Sequence, residues 1–242
     1  MGQIESSLSI LLSFFSMKYY LVVAFVLLVG TAVPAVAHYL EHGVVNATEL
    51  GLAFFLWLNV MVSVWEICLF LRIDLIEQQH RQFLEQYKGR ELQRVVDLFG
   101  KEVNLGECFS TATWAEIWST YSIFDQSYAD RRSFGFFIDI GNGFSTLLPT
   151  LACIYGMTYH VLSARLLGLM LLLVNYQMWY GTLIYFTSYI CNRRFRGHSV
   201  FNVFLFVGIS NGLWFTFPLW GIRAAYHMIM VDDYSFFLSS SF

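Results

Sequence analysis

Five long, mostly apolar stretches constrain this chain more than any other feature: roughly Tyr19–His38, Leu52–Leu71, Phe134–Met157, Leu162–Tyr189 and Val200–Met228. A helix of about 20 apolar residues matches the hydrocarbon thickness of a bilayer. In lipid, only a helix or a closed barrel satisfies the backbone of such a segment. Hydrophobic residues make up 57% of the chain and charged ones 13%, against about 25% charged in a typical soluble domain. So few charges cannot cover a soluble surface, which excludes a disordered chain, a disulfide scaffold and an ordinary cytosolic enzyme. The net charge of -3 carries no basic excess, so no nucleic-acid partner is expected. We expect an all-α integral membrane protein: one five-transmembrane-helix bundle with a lipid-accessible internal cavity.

A shorter apolar run, Leu8–Ser16, suits the membrane interface rather than a crossing. Ala35-Val36-Ala37 resembles a signal-peptide cleavage site, but the charged flank begins only at Lys18, so the first segment is kept as a mature helix. The one long polar stretch, 73–133, spaces Phe83, Leu84, Tyr87, Leu92, Val95, Val96, Leu98 and Phe99 among charges as an amphipathic helix pair does. Its part over about 73–117 reads either as a helix pair on the membrane or over the bundle mouth, or as a solvated connector. Arg81, Lys88, Arg90, Arg94, Lys101, Arg131 and Arg132, with Arg193, Arg194 and Arg196, assign the second and fourth loops and the N-terminus to the cytoplasm. Asn46-Ala47-Thr48 is a glycosylation sequon on the opposite side, and Met1-Gly2 with Ser6 fits a minimal myristoylation pattern. The four cysteines, Cys68, Cys108, Cys153 and Cys191, read as packing residues, and no Cys/His spacing suits zinc.

Ionisable groups at membrane depth are costly and are functional candidates by default. Glu66 lies deep in the second segment, with Ser63 and Asn59 three and seven residues before it on one helical face. Asp139 lies in the third segment, with Asn142 three residues on. Burial penalises the charged form of a carboxyl, which suits such a group to give or take a proton at neutral pH. The alternative is that both are neutral inter-helix hydrogen-bond links. The aromatic load, 19% of the chain, includes Trp57, Trp65, Trp118, Trp179 and Trp214. It suits either a cavity whose ring faces attract a cation or interfacial belts.

Several short motifs occur in an order that resembles the emopamil-binding protein (EXPERA) family over about 53–228. Trp118, Tyr121, Asp125 and Tyr128 fit W-x-x-Y-x-x-x-D-x-x-Y, and Tyr180-Gly181 with Tyr185-Phe186 fits Y-G-x-x-x-Y-F. Asn211, Leu213, Trp214 and Pro218 fit N-x-L-W-x-x-x-P. Asp139 falls where the sterol isomerases of that family carry a catalytic glutamate, and Glu66 matches the acidic residue of their second helix. The resemblance implies a five-helix bundle whose asparagine and tryptophan, here Asn211 and Trp214, line a sterol pocket. Two positions depart from the isomerases: Val62 stands where they carry a histidine, and Thr182 where they carry an aspartate. The missing histidine tilts the expectation toward ring closure or an unusual substrate.

The expected activity is therefore cofactor-independent, acid-initiated carbocation chemistry on a sterol or terpenoid, either cyclisation or double-bond isomerisation. Glu66 and Asp139 are the expected acids. Asn211, Trp214, Tyr180, Asp125, Tyr128, Trp118 and Asn59 are the expected substrate-binding residues. The alternatives are a non-catalytic sterol- or lipid-binding protein and a subunit of a membrane complex. No metal, nucleotide or haem motif is present, so no cofactor is expected. The expected partners are an apolar isoprenoid or sterol, membrane lipids and a second copy in a homodimer, with the endoplasmic reticulum as location.

Overall fold

Each apolar stretch forms one helix, and its ends are set by local chemistry rather than by hydropathy alone. The computed structural model describes residues 16–239; the apolar run from Leu8 and the Met1-Gly2 motif fall on residues before that range. Helix α1 spans Tyr19–His42, one turn beyond its expected end, and stops at Gly43, whose φ of 71° only glycine adopts without strain. Helix α2, Ala47–Leu71, begins one turn early because the Asn46 side chain accepts from the Thr48 and Glu49 amides. Ser133 and Ser163 cap α7, Phe134–Tyr159, and α8, Ala164–Cys191, in the same way. Helix α9 runs over Val200–Val231. These five helices are long and apolar enough to cross a membrane, and the protein is an all-α membrane bundle.

Small residues decide which helices approach most closely. A Cβ placed on Gly143 of α7 would lie 2.8 Å from the Glu66 Cβ and 2.9 Å from the Ser63 carbonyl, so this glycine brings α7 against α2 at the acid. Gly221 does the same between α9 and α8, where a Cβ would lie 2.4 Å from the Asn175 side chain. The main core joins Leu52, Phe55 and Leu56 of α2 to Met157, Leu167, Leu171 and Met228. Helix α1 is peripheral and buries only Tyr19, Gly30, Pro34 and His38.

Between α2 and α7 the chain folds over one end of the bundle as a cap. It comprises α3 (Ile73–Gln86), α4 (Glu91–Gly100), a short α5 (Leu105–Cys108), α6 (Thr111–Tyr121) and a 3₁₀ turn at Gln126–Ala129. Helices α3 and α4 of this stretch are amphipathic, α3 burying Ile73 and Ile76 and α4 burying Arg94 and Leu98. A two-residue antiparallel pairing, β1 (Met17–Lys18) with β2 (Glu102–Val103), ties it to the start of α1. Glu116 holds it together, accepting from Arg94 at 3.1 Å and Lys101 at 3.0 Å, while the Arg94 Nε donates to Thr120 at 3.0 Å. Arg131 bonds Asp74 and Glu77 across the cap.

The sequon asparagine is buried, and one cysteine departs from the sequence reading. Asn46 is buried, and its amide nitrogen, the atom that would carry a glycan, donates to the carbonyls of Phe236 at 3.2 Å and Ser239 at 2.6 Å. The short helix α10, Ser235–Leu238, thus occupies the space a glycan would need. Cys68 and Cys153 are buried packing residues, but Cys191 is exposed.

Candidate functional site

Under the cap, α2, α7, α8 and α9 splay to enclose a cavity of about 310 Å³. Its walls are mostly apolar and aromatic, including Trp65, Phe124, Phe206 and Met178, and Val95, Leu98 and Phe99 of α4 close it from the cap side. Both predicted acids reach it. Glu66 comes from α2 and Asp139 from α7, and among the described residues no lysine, arginine or histidine lines the cavity. Glu66 is buried, and its Oε2 accepts a 2.7 Å hydrogen bond from the Asn142 amide. Asn142 lies one turn beyond Asp139, so a single face of α7 carries the second acid and the group that orients the first. The Tyr128 phenol faces Asp139.

The last helix supplies a second polar group at the wall. Its segment Val203–Ile209 is π-helical and ends where Ser210 and Asn211 face the cavity. π-Turns within helices are uncommon and concentrate at functional sites. Asn211 donates to the Tyr121 hydroxyl at 2.7 Å and to the Val207 carbonyl at 3.0 Å. Burial pushes the Tyr121 and Tyr128 phenols well above their ordinary range, so both remain protonated.

The residues expected to bind substrate fall into three groups. Asn211, Trp214, Tyr128 and Trp118 line the cavity. Asn59 and Asp125 are buried behind it and act as holders. The Asn59 carbonyl accepts from the Trp214 indole at 3.0 Å, while its NH2 donates to Thr146 at 3.1 Å and Thr150 at 3.3 Å. Asp125 accepts from the Tyr185 hydroxyl at 2.8 Å and from the Ser127 amide at 2.9 Å, and Arg194 lies 3.5 Å away. Tyr180 stands outside the cavity: it is 48% exposed on the outer face of α8 and stacks on Tyr176. Its neighbour in the same motif, Tyr185, is 2% exposed and lines the wall instead, since five residues along a helix turn the side chain by more than a quarter circle.

Asn142, Tyr121, Tyr185 and Ser210 also line the cavity, and the sequence reading did not number them among its site residues. The signal for Asn142 was its spacing of three from Asp139; for Tyr121 and Tyr185 it was membership of the quoted motifs. Known families, curated proteins and solved structures offer no match to this chain. The site's chemistry therefore rests on its own geometry: two carboxyls and the amides of Asn142, Gln177 and Asn211 in a mostly apolar, aromatic cavity.

Proposed function

We propose that this protein is a membrane-embedded enzyme that uses a carboxylic acid to start carbocation chemistry on a sterol or terpenoid. The observation that carries the reading is the convergence of Glu66, Asp139 and Asn142 in one mostly apolar cavity in which, among the described residues, no cationic side chain stands to neutralise them. One carboxyl delivers its proton to an alkene carbon of the substrate. The tertiary cation so formed sits among the ring faces of Trp65, Trp118 and Trp214, where a ring quadrupole favours positive charge. The cation then either loses a proton from the adjacent carbon to a carboxylate, moving the double bond, or is captured by a second alkene and closes a ring before losing that proton. In both cases the proton count returns to its start, and no redox partner is needed.

The cavity volume lies at the low end of the about 300–1,000 Å³ typical of ligand pockets. It suits the reacting ring or prenyl unit, with the rest of the substrate leaving between the helices toward lipid. Likeness of the motifs to the emopamil-binding protein family supports the same reading, as does Asn211 beside Trp214 on the wall. The orientation proposed from the arginines puts the cap in the cytoplasm, in an endoplasmic reticulum membrane.

The test supplies sterol, linear isoprenoid and epoxide substrates in deuterated water to membranes holding wild-type, Glu66→Gln or Asp139→Asn protein. Carbon-bound deuterium in product from wild type, absent from both variants, is the expected result. Equal product from all three proteins overturns it. One observation favours a second reading: two carboxyls without a cationic neighbour also complement a cationic amphiphile. Ligand retention that depends on Asp139, with no product from any substrate, would establish a binding protein instead.

A further inference from the structure

At the end of the bundle opposite the cap, three histidines converge from distant parts of the chain. His38 and His42 lie one turn apart on α1, and His160 follows the last residue of α7. One ring nitrogen of each lies within 4.8 Å of the others. His38 is 0% exposed, and among the described residues neither of its ring nitrogens makes a well-aligned hydrogen bond, although the Met157 and Phe237 carbonyls stand close to the ring; the His160 Nε2 is likewise buried without a well-aligned partner. Unpaired polar atoms at such depth are rare and call for a ligand or another explanation.

The surroundings resemble a prepared ligand set. The His42 Nε2 bonds the Thr158 carbonyl at 3.0 Å; because a carbonyl only accepts, that nitrogen carries the proton and Nδ1 keeps its lone pair. A ligating histidine commonly donates its other N–H in this way. His160 takes a left-handed conformation, φ 52° and ψ 33°, at a position that glycine or asparagine usually fills. Tyr234 covers its outer face, with ring centroids 3.8 Å apart, and is itself held by donation to the Leu162 carbonyl at 2.8 Å.

We propose that His38, His42 and His160 bind one divalent transition-metal ion of the zinc class, leaving a fourth position for water. Imidazole sets of three suit such ions, whereas calcium and magnesium take oxygen. Bonds of about 2.1 Å in tetrahedral array require nitrogens about 3.4 Å apart. His42 and His160 are stacked at 3.9 Å, and parallel rings cannot aim both lone pairs at one ion, so loading turns one ring out of the stack. The ion would staple α1, the least buried of the five spanning helices, to the end of α7. The site lies 21 residues along α7 from Asp139, or about 30 Å, and is independent of the cavity chemistry.

The full chain, purified in detergent through a non-histidine tag and stripped with chelator, is dialysed against Zn²⁺ and assayed for bound metal. Wild type should retain one equivalent and give tetrahedral ligand-field bands with Co²⁺. His42→Gln and His160→Asn should each lower retention at least tenfold while keeping wild-type circular dichroism. Wild type that retains no Zn²⁺ overturns the proposal, as do folded variants that retain as much as wild type. Should either variant fail to fold, pulsed electron paramagnetic resonance on wild type loaded with Cu²⁺ decides: several coordinated histidine nitrogens are expected, and fewer than two would overturn it.

Discussion

Placing a methyl group on Gly143 tests whether the α2–α7 contact sets the geometry of the acid. In Gly143→Ala, the new Cβ would sit about 0.5 Å inside ordinary contact distance of both the Glu66 Cβ and the Ser63 carbonyl, and 3.1 Å from the Ile67 nitrogen. Two of these atoms are backbone, so no rotamer change relieves the clash and the helices must part by a comparable distance. Overpacking of this kind costs about 1–3 kcal/mol, and Tm falls about 2–4 °C per kcal/mol for a chain of this size. The same displacement stretches the 2.7 Å Asn142–Glu66 hydrogen bond to the edge of its useful range. Misplacement of a reacting group by about 1 Å can cost 10²-fold in rate, so a loss of about 10-fold is expected from half that distance. The control is Gly141→Ala, two residues away on the same helix, where a Cβ meets nothing within 4 Å and alanine is the better helix former. Thermal unfolding in detergent and deuterium incorporation from labelled water measure the two effects. Equal melting and equal turnover for the two alanine variants would refute the reasoning.

Asn59→Leu removes the acceptor of the Trp214 indole and leaves that N–H buried. A loss of about 1–3 kcal/mol is expected by thermal unfolding, and the Trp214 emission should shift as its ring is released. Glu116→Gln takes away the one carboxylate that both Arg94 and Lys101 use, so limited proteolysis should cut the 86–101 segment faster, at equal α1–α9 helix content by circular dichroism. His80, held by Ser122 at 2.8 Å, is kept below its ordinary pKa by burial and then by Arg81. The unfolded chain therefore binds that proton at a higher pH than the folded one. Its contribution is fully present above about pH 6.5 and is lost as pH falls through the window down to the folded value. His80→Gln should flatten this part of the stability profile, and an unchanged slope would count against the burial.

The spanning helices were legible because lipid imposes a length and a polarity that few other structures share. Their ends were less so, since Asn46 and Gly43 add a turn through capping geometry rather than hydropathy. Glu66 and Asp139 were legible as anomalies, charges where charge is costly. Their environment was not, because the 2.7 Å contact with Asn142 depends on how closely Gly143 lets two helices approach. A motif assigns residue types without facing: Tyr180 and Tyr185 belong to one motif yet point to opposite sides of α8. Asn59 and Asp125 show the same limit in depth, since being polar within an apolar run is common to a group that touches a ligand and one that holds its neighbour. The histidine cluster escaped a spacing search because His160 lies 118 residues from His42.

The π segment Val203–Ile209 sets a fixed phase offset between the start of α9, Val200–Asn202, and the α-helical rod that runs from Ser210. Each residue of an α-helix advances the direction of its side chain by about 100°. Within the segment, Phe206 stacks on Phe124 of the cap at 4.2 Å; downstream, Ala224, Ala225 and Met228 are fixed in the main core. Deleting one residue within the segment would let α9 run as a regular helix only by turning its start and the rod from Ser210 relative to one another. Asn211 and Trp214, at the joint, would then leave the wall or the core would lose its register. At this joint the residue count itself is part of the site.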